Sequence, residues 1–183
     1  MKMIRTAIPD IVIIEPAVFT DDRGWFMESF NEERFNKELK ALGLPAAKPF
    51  VQDNHSSSKR SVLRGLHYQA EPFAQGKLVR VVEGAAFDVA VDIRKSSPTY
   101  LKWVGVELSS ANKKMLWIPE GFAHGFLALE DDTQFLYKTT NYYKRESEAS
   151  LLWSDADIGI KWPEIGPIII SQKDEEAPLS ISL

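Results

Sequence analysis

Cysteine is absent from this chain, and histidine is scarce: His55, His67 and His124 are the only three. The first absence excludes disulfides, thiolate nucleophiles and Cys-based zinc sites. The second leaves few donors for a transition-metal centre. Long apolar runs are missing too. The run nearest the N-terminus, Ile11–Ile14, is too short for the apolar region of a signal peptide. No stretch approaches the about 18 apolar residues of a membrane span. A cytoplasmic protein is expected, with no membrane partner. Excess positive charge is also lacking. The net charge is −4, so the electrostatic footprint of a nucleic-acid binder is missing. An anionic ligand would need a local cluster of Arg and Lys. A glycine-rich dinucleotide fingerprint is not found either.

What remains is an ordinary globular composition, 44% hydrophobic and 26% charged over 183 residues. That length suits one domain, expected to span residues 1–183. Short strand-like runs follow one another: Ile11–Ile14, Trp25–Phe30, Leu63–Gln69, Lys77–Val82, Phe87–Ile93, Trp103–Leu108, Met115–Ile118, Phe126–Leu129 and Gln134–Thr139. Turn-prone pieces such as Glu83-Gly84 and Ser96-Ser97-Pro98 separate them. Many short strands at close spacing predict a β-sandwich or barrel. In the Phe87 run, Phe87, Val89, Val91 and Ile93 share one face, and Asp88, Ala90 and Asp92 share the other. Two acids on one strand face are either solvated or aimed into a polar cavity. One helix is expected from Glu32 to about Leu42, with Asn31 as N-cap and Gly43 as the stop. From Asn141 onward, loops and short helical turns are expected to pack on the β core.

Two segments stand out for chemistry. Leu63-Arg64-Gly65-Leu66-His67-Tyr68-Gln69 places Arg, His and Gln on a strand with a glycine inside. On an ideal strand His67 and Gln69 point one way and Arg64 the other, and Gly65 is a candidate bulge that would re-aim them. Ile118-Pro119-Glu120-Gly121-Phe122-Ala123-His124-Gly125-Phe126 delivers His124 by a Pro/Gly turn into a strand between Phe122 and Phe126. Its P-x-G-x-x-H spacing resembles the second half of the cupin signature. The first half, H-x-H followed by Glu, has no counterpart around His67, so a divalent metal site is not expected.

Further segments are Asp21-Asp22-Arg23-Gly24-Trp25-Phe26-Met27-Glu28-Ser29-Phe30, Phe50-Val51-Gln52-Asp53-Asn54-His55-Ser56, Gln75-Gly76-Lys77-Leu78-Val79-Arg80, Phe135-Leu136-Tyr137-Lys138 and Ser171-Gln172-Lys173-Asp174. In this order they resemble the dTDP-4-dehydrorhamnose 3,5-epimerase family, from about Thr6 to Asp174. The resemblance implies a mainly β, cupin-type jelly roll with a few short helices. It also implies epimerisation of dTDP-4-dehydro-6-deoxyglucose at carbons 3 and 5, without cofactor or metal. The 4-ketone makes the neighbouring C–H bonds acidic. Inversion then needs a base, a stabiliser for the enolate oxygen and an acid on the opposite face.

By that resemblance His67 is the base and Asp174 the carboxylate that orients it. Tyr137 is the acid, and a neighbouring cation is expected to lower its pKa. Lys77 sits near the keto oxygen, and His124 lines the same pocket. Arg23, Arg64 and Lys173 match positions that bind substrate, and an arginine's planar fork suits phosphate. Glu28, Gln52, Asn54 and Glu148 match further polar contacts. The Arg23–Glu28 segment reaches a partner's site in this family, which implies a homodimer. His55 reads as structural. A relative that inverts only one carbon would keep the same base and acid, so that alternative stays open. A metal-dependent cupin would need the missing histidines, and a pure binding module would not need the base and acid.

Overall fold

Alternating side chains build two antiparallel sheets that face each other. The computed structural model describes residues 1–183. One sheet has six strands, in the order β1 (Lys2–Arg5), β2 (Val12–Glu15), β10 (Met115–Ile118), β7 (Lys77–Glu83), β12 (Thr133–Thr139) and β5 (Gln52–Ser58). The other has five, in the order β13 (Glu148–Ser150), β6 (Leu63–Gln69), β11 (Phe122–Ala128), β8 (Ala85–Asp92) and β9 (Trp103–Ser109). A separate hairpin joins β3 (Val18–Asp21) to β4 (Gly24–Met27). The result is the expected β-sandwich of cupin type, and no helix is long and apolar enough to cross a membrane.

The central core interleaves both sheets. Val79, Val81, Leu116, Ile118 and Phe135 from the six-stranded sheet meet Ala86, Ala90, Val104, Leu108, Phe122 and Phe126 from the five-stranded one. Phe126 and Phe135 stack across the gap with centroids 4.1 Å apart. The face of β8 that carries the acids therefore turns inward. Asp88 and Asp92 are both fully buried, each with polar partners. Val89 and Val91 face outward and are covered by Leu151 and Ile158 of the C-terminal chain.

Helix α1 (Glu32–Ala41) starts where expected, with the Asn31 side chain accepting from the Arg34 N–H. Leu42 caps its end, and Gly43 follows at φ +71°. Phe35 and Leu39 pack on Val12, Ile14, Leu78, Met115 and Trp117. Burying each such side chain contributes roughly 1.5–3 kcal/mol. A second, four-residue helix, α2 (Gln172–Glu175), lies near the C-terminus.

The expected bulge in β6 is present. His124 pairs with His67, yet Phe126 pairs with Arg64, so β6 spends three residues where β11 spends two. Gly65 sits at φ +119°, and a Cβ there would lie 2.6 Å from the Gly125 Cα and 2.7 Å from the His124 carbonyl oxygen. Gly65→Ala is expected to cost roughly 2–4 kcal/mol from backbone strain and overpacking. Denaturant unfolding checks this, and a loss below about 1 kcal/mol would contradict the tight crossing.

Candidate active site

The bulge sets the site. Alternation alone would put Arg64 and His67 on opposite faces, but the extra residue brings both to one cavity of about 680 Å³ between the sheets. That volume suits a medium-sized ligand. The same distortion turns the Gly65 N–H toward Asp174 Oδ2, at 3.2 Å. The other carboxylate oxygen lies 2.6 Å from His67 Nε2. Asp174 comes from α2, where the Ser171 side chain caps its backbone N–H. The pair is lopsided in exposure: the His67 side chain is 35% exposed and that of Asp174 6%. Burial alone would raise the Asp174 pKa. The His67 hydrogen bond and charge, the Gly65 N–H and Ser171 together outweigh it and hold the carboxyl below its usual value. An ionised Asp174 fixes the proton on Nε2 and leaves the Nδ1 lone pair as the basic site.

Lys77 is buried and reaches across from β7 to donate to the His67 carbonyl at 3.2 Å. Burial lowers its pKa to about 8, against the opposing pull of Asp88 and Glu148. His124 lies in register with His67 on the neighbouring strand and hydrogen-bonds both Asp88 oxygens, at 2.8 and 3.1 Å. Burial lowers the His124 pKa despite Asp88, which favours the neutral ring.

Tyr137 enters the cavity from β12, on the other sheet from His67. It shares a strand face with Phe135, as the alternation requires. Its pKa departs from the sequence expectation. Burial raises it, helped by Glu148, and outweighs the lowering by Arg64 and Asn54. The cation is present, but desolvation wins, and the phenol keeps its proton.

Around these groups lie further charged side chains. Arg64 is held by Ser58 Oγ at 3.1 Å and the Ser57 carbonyl at 3.2 Å. Lys173 pairs with Glu148 at 2.7 Å, and the Tyr143 hydroxyl donates to the same carboxylate at 3.1 Å. Lys173 is the first influence holding the Glu148 pKa down; burial opposes it. Asn54 also faces the cavity. No three His, Asp or Glu side chains converge as a metal-binding set would.

Three of the anticipated residues lie elsewhere. Arg23 forms an exposed pair with Asp21 at the hairpin turn, and Glu28 pairs with Arg34 at 3.3 Å. Gln52 is not part of the cavity lining and is committed internally, donating to Asn54 at 3.0 Å and accepting from the Tyr143 N–H at 3.1 Å. His55 stands at the cavity edge and meets Gln134 Oε1 at 3.0 Å. Sequence reasoning missed Tyr143, Ser58 and Ser171, and left Asp88 unassigned. Only Asp88 left a signal, as an acid on the mostly apolar strand that pairs with the His124 strand.

A histidine–carboxylate pair facing a protonated phenol, with a buried ammonium between the sheets, defines a cupin-fold enzyme built for proton transfer at carbon, an epimerase. The chain belongs to the dTDP-4-dehydrorhamnose 3,5-epimerase family, whose model matches residues 5–180. It is 60% identical to dTDP-4-dehydrorhamnose 3,5-epimerase of Shigella flexneri, over 95% of this chain and 93% of that one. A crystal structure of dTDP-6-deoxy-D-glucose-3,5-epimerase from Legionella pneumophila, in complex with dTDP-4-keto-L-rhamnose, superposes with a TM-score of 0.92 at 48% identity, covering 98% of this chain and 93% of that one. A 3'-monoepimerase from Streptomyces bikiniensis shares the fold at a TM-score of 0.87 and 33% identity, over 97% of this chain and 87% of its own.

The Lys77 environment carries a pH prediction. Its ammonium is lost as pH rises through about 8, so kcat/KM should fall above that value. Asp88, Glu148, His67 and His124 are the titratable groups around it. A pH profile flat to about 9.5 would contradict a charged Lys77 as the working form.

Proposed function

We propose that this chain inverts carbons 3 and 5 of dTDP-4-dehydro-6-deoxyglucose, giving dTDP-4-dehydro-L-rhamnose. The observation that carries the reading is the placement of His67 and Tyr137 on opposite sheets of one cavity. His67 Nδ1 takes the proton from the carbon beside the ketone. The C–H electron pair moves into the ring and onto the carbonyl oxygen, forming an enolate. The Lys77 ammonium stabilises that oxygen, and neutral His124, whose Nε2–H is given to Asp88, is left to accept from a sugar hydroxyl through Nδ1. The electron pair returns as the Tyr137 phenol gives a proton to the opposite face of the same carbon. Solvent then restores the imidazole and the phenol before the second carbon reacts. Asp174 steadies the imidazolium formed in the first step.

Arg64 and Lys173 are positioned for the diphosphate, and Asn54 and Glu148 for polar groups of the nucleotide sugar. The reaction needs no redox cofactor, because the substrate already carries the ketone. Residues 1–183 act as one catalytic domain, in the cytoplasm. The β3–β4 hairpin fits a partner role: Phe19, Trp25 and Phe26 are 65%, 58% and 68% exposed in the single chain. We assign it to a homodimer interface that brings Arg23 and Glu28 to the other copy's cavity.

Turnover in heavy water tests the reaction: deuterium should appear at both carbon 3 and carbon 5 of the product. Label at one carbon would mean single epimerisation, and label at neither would sink the proposal. His67→Ala should lose roughly 100- to 10,000-fold in kcat. Mixing inactive His67→Ala and Arg23→Ala proteins tests the shared site. Hybrid dimers with one intact cavity should regain activity, and no recovery on subunit exchange would contradict the arrangement.

A further inference from the structure

Residues Asn141–Lys144 cross the cavity rim outside any strand. Their backbone groups are met instead by side chains, three of them glutamines. Gln75 Nε2 and Thr139 Oγ1 donate to the Asn141 carbonyl, at 2.7 and 2.8 Å. Gln69 Nε2 donates to the Tyr142 carbonyl at 3.1 Å, and its Oε1 accepts from the Lys144 N–H at 2.7 Å. Gln52 Oε1 accepts from the Tyr143 N–H between them, at 3.1 Å. Gln69 also donates to the Phe73 carbonyl at 2.6 Å, so this one buried amide ties two loops to β6. It lies two residues after His67 and in register with Glu148 on β13. The strap it holds carries Tyr143, half-exposed at the mouth and bonded to Glu148.

We propose that Gln69 is a positioning residue: with Gln52 and Gln75 it clamps Asn141–Lys144 into a fixed strap that holds Tyr143 and Glu148 ready for the nucleotide sugar. This rests on the reading of the cavity as a nucleotide-sugar site. A neutral amide suits the task, since one side chain can donate to a carbonyl and accept from an N–H without placing a charge beside His67. If the strap were loose, substrate binding would have to order it. Apparent affinity would then fall by the fraction of molecules in the competent arrangement. The proton transfers themselves would be untouched. The clamp therefore acts on KM rather than kcat.

The test is Gln69→Met, close in volume but unable to make these bonds, assayed with dTDP-4-dehydro-6-deoxyglucose. Amide exchange at Tyr143 and Lys144 should speed up, KM should rise about tenfold, and kcat should stay within about twofold. In a Tyr143→Ala background the same change should add less than about twofold, because the strap reaches both substrate and Glu148 through Tyr143. Should Gln69→Met fail to fold, Gln75→Met/Thr139→Val strips both donors from the Asn141 carbonyl without altering β6, with the same expected direction. Faster exchange with unchanged KM in either protein would overturn the proposal. So would a fall in kcat alone, which would place Gln69 behind His67 instead. Failure of the underlying reading would look different: the unaltered protein would not turn over the keto sugar nucleotide at all.

Discussion

The backbone crossing of Gly65 over Gly125 is the constraint on which the site depends. A Cβ at either glycine would meet main-chain atoms at 2.6–2.7 Å, so the two strands approach as closely as they do because neither has a side chain there. The contact lets β6 carry one extra residue against β11. That residue changes the phase of the strand between Arg64 and His67. A guanidinium and an imidazole then face the same space, and the Gly65 N–H is left to hold Asp174. Three features of the proposed chemistry follow from one local distortion.

Charge is handled by pairing within the sandwich. The interior holds Asp88, Lys77 and His124, each of which would be costly alone. Asp88 serves His124 through hydrogen bonds and Lys77 through its field. Burial still dominates both cations, lowering each pKa, so a neutral imidazole and an easily deprotonated ammonium sit together. Tyr137, on the same sheet as Lys77 and facing the sheet of His124, is pushed the other way, toward its protonated form. A neutral imidazole and a protonated phenol thus sit on facing sheets, in a chain that is net negative as a whole. Positive charge is nonetheless gathered at the cavity, where Arg64, Lys77 and Lys173 all line the wall.

Much of the scaffold was legible because apolar alternation carries it. Strands β6 and β10 fall where the pattern places them, and α1 begins at its predicted cap. Strand β5 was not legible. Gln-Asp-Asn-His-Ser-Ser-Ser has no apolar residue to mark a face, because its inner side borders a polar cavity and its outer side is solvent. β1, β3 and β13 are three or four residues long, too short for a period to show. The candidate site was readable through family motifs rather than local spacing: His67 and Asp174 are 107 residues apart. The Tyr137 pKa ran against expectation because the family motifs suggested a neighbouring cation, whereas desolvation depends on the packing of the whole cavity.

The central claim is a proton exchange with distinct groups on the two sides of the sugar ring. Its most direct measurement follows recovered substrate and product from Tyr137→Phe in heavy water. With His67 intact and the opposite acid removed, deuterium should wash into recovered substrate without inversion, because His67 takes a proton and returns a solvent-derived one to the same face. Normal inversion by Tyr137→Phe, or no exchange by a folded variant, would contradict the account.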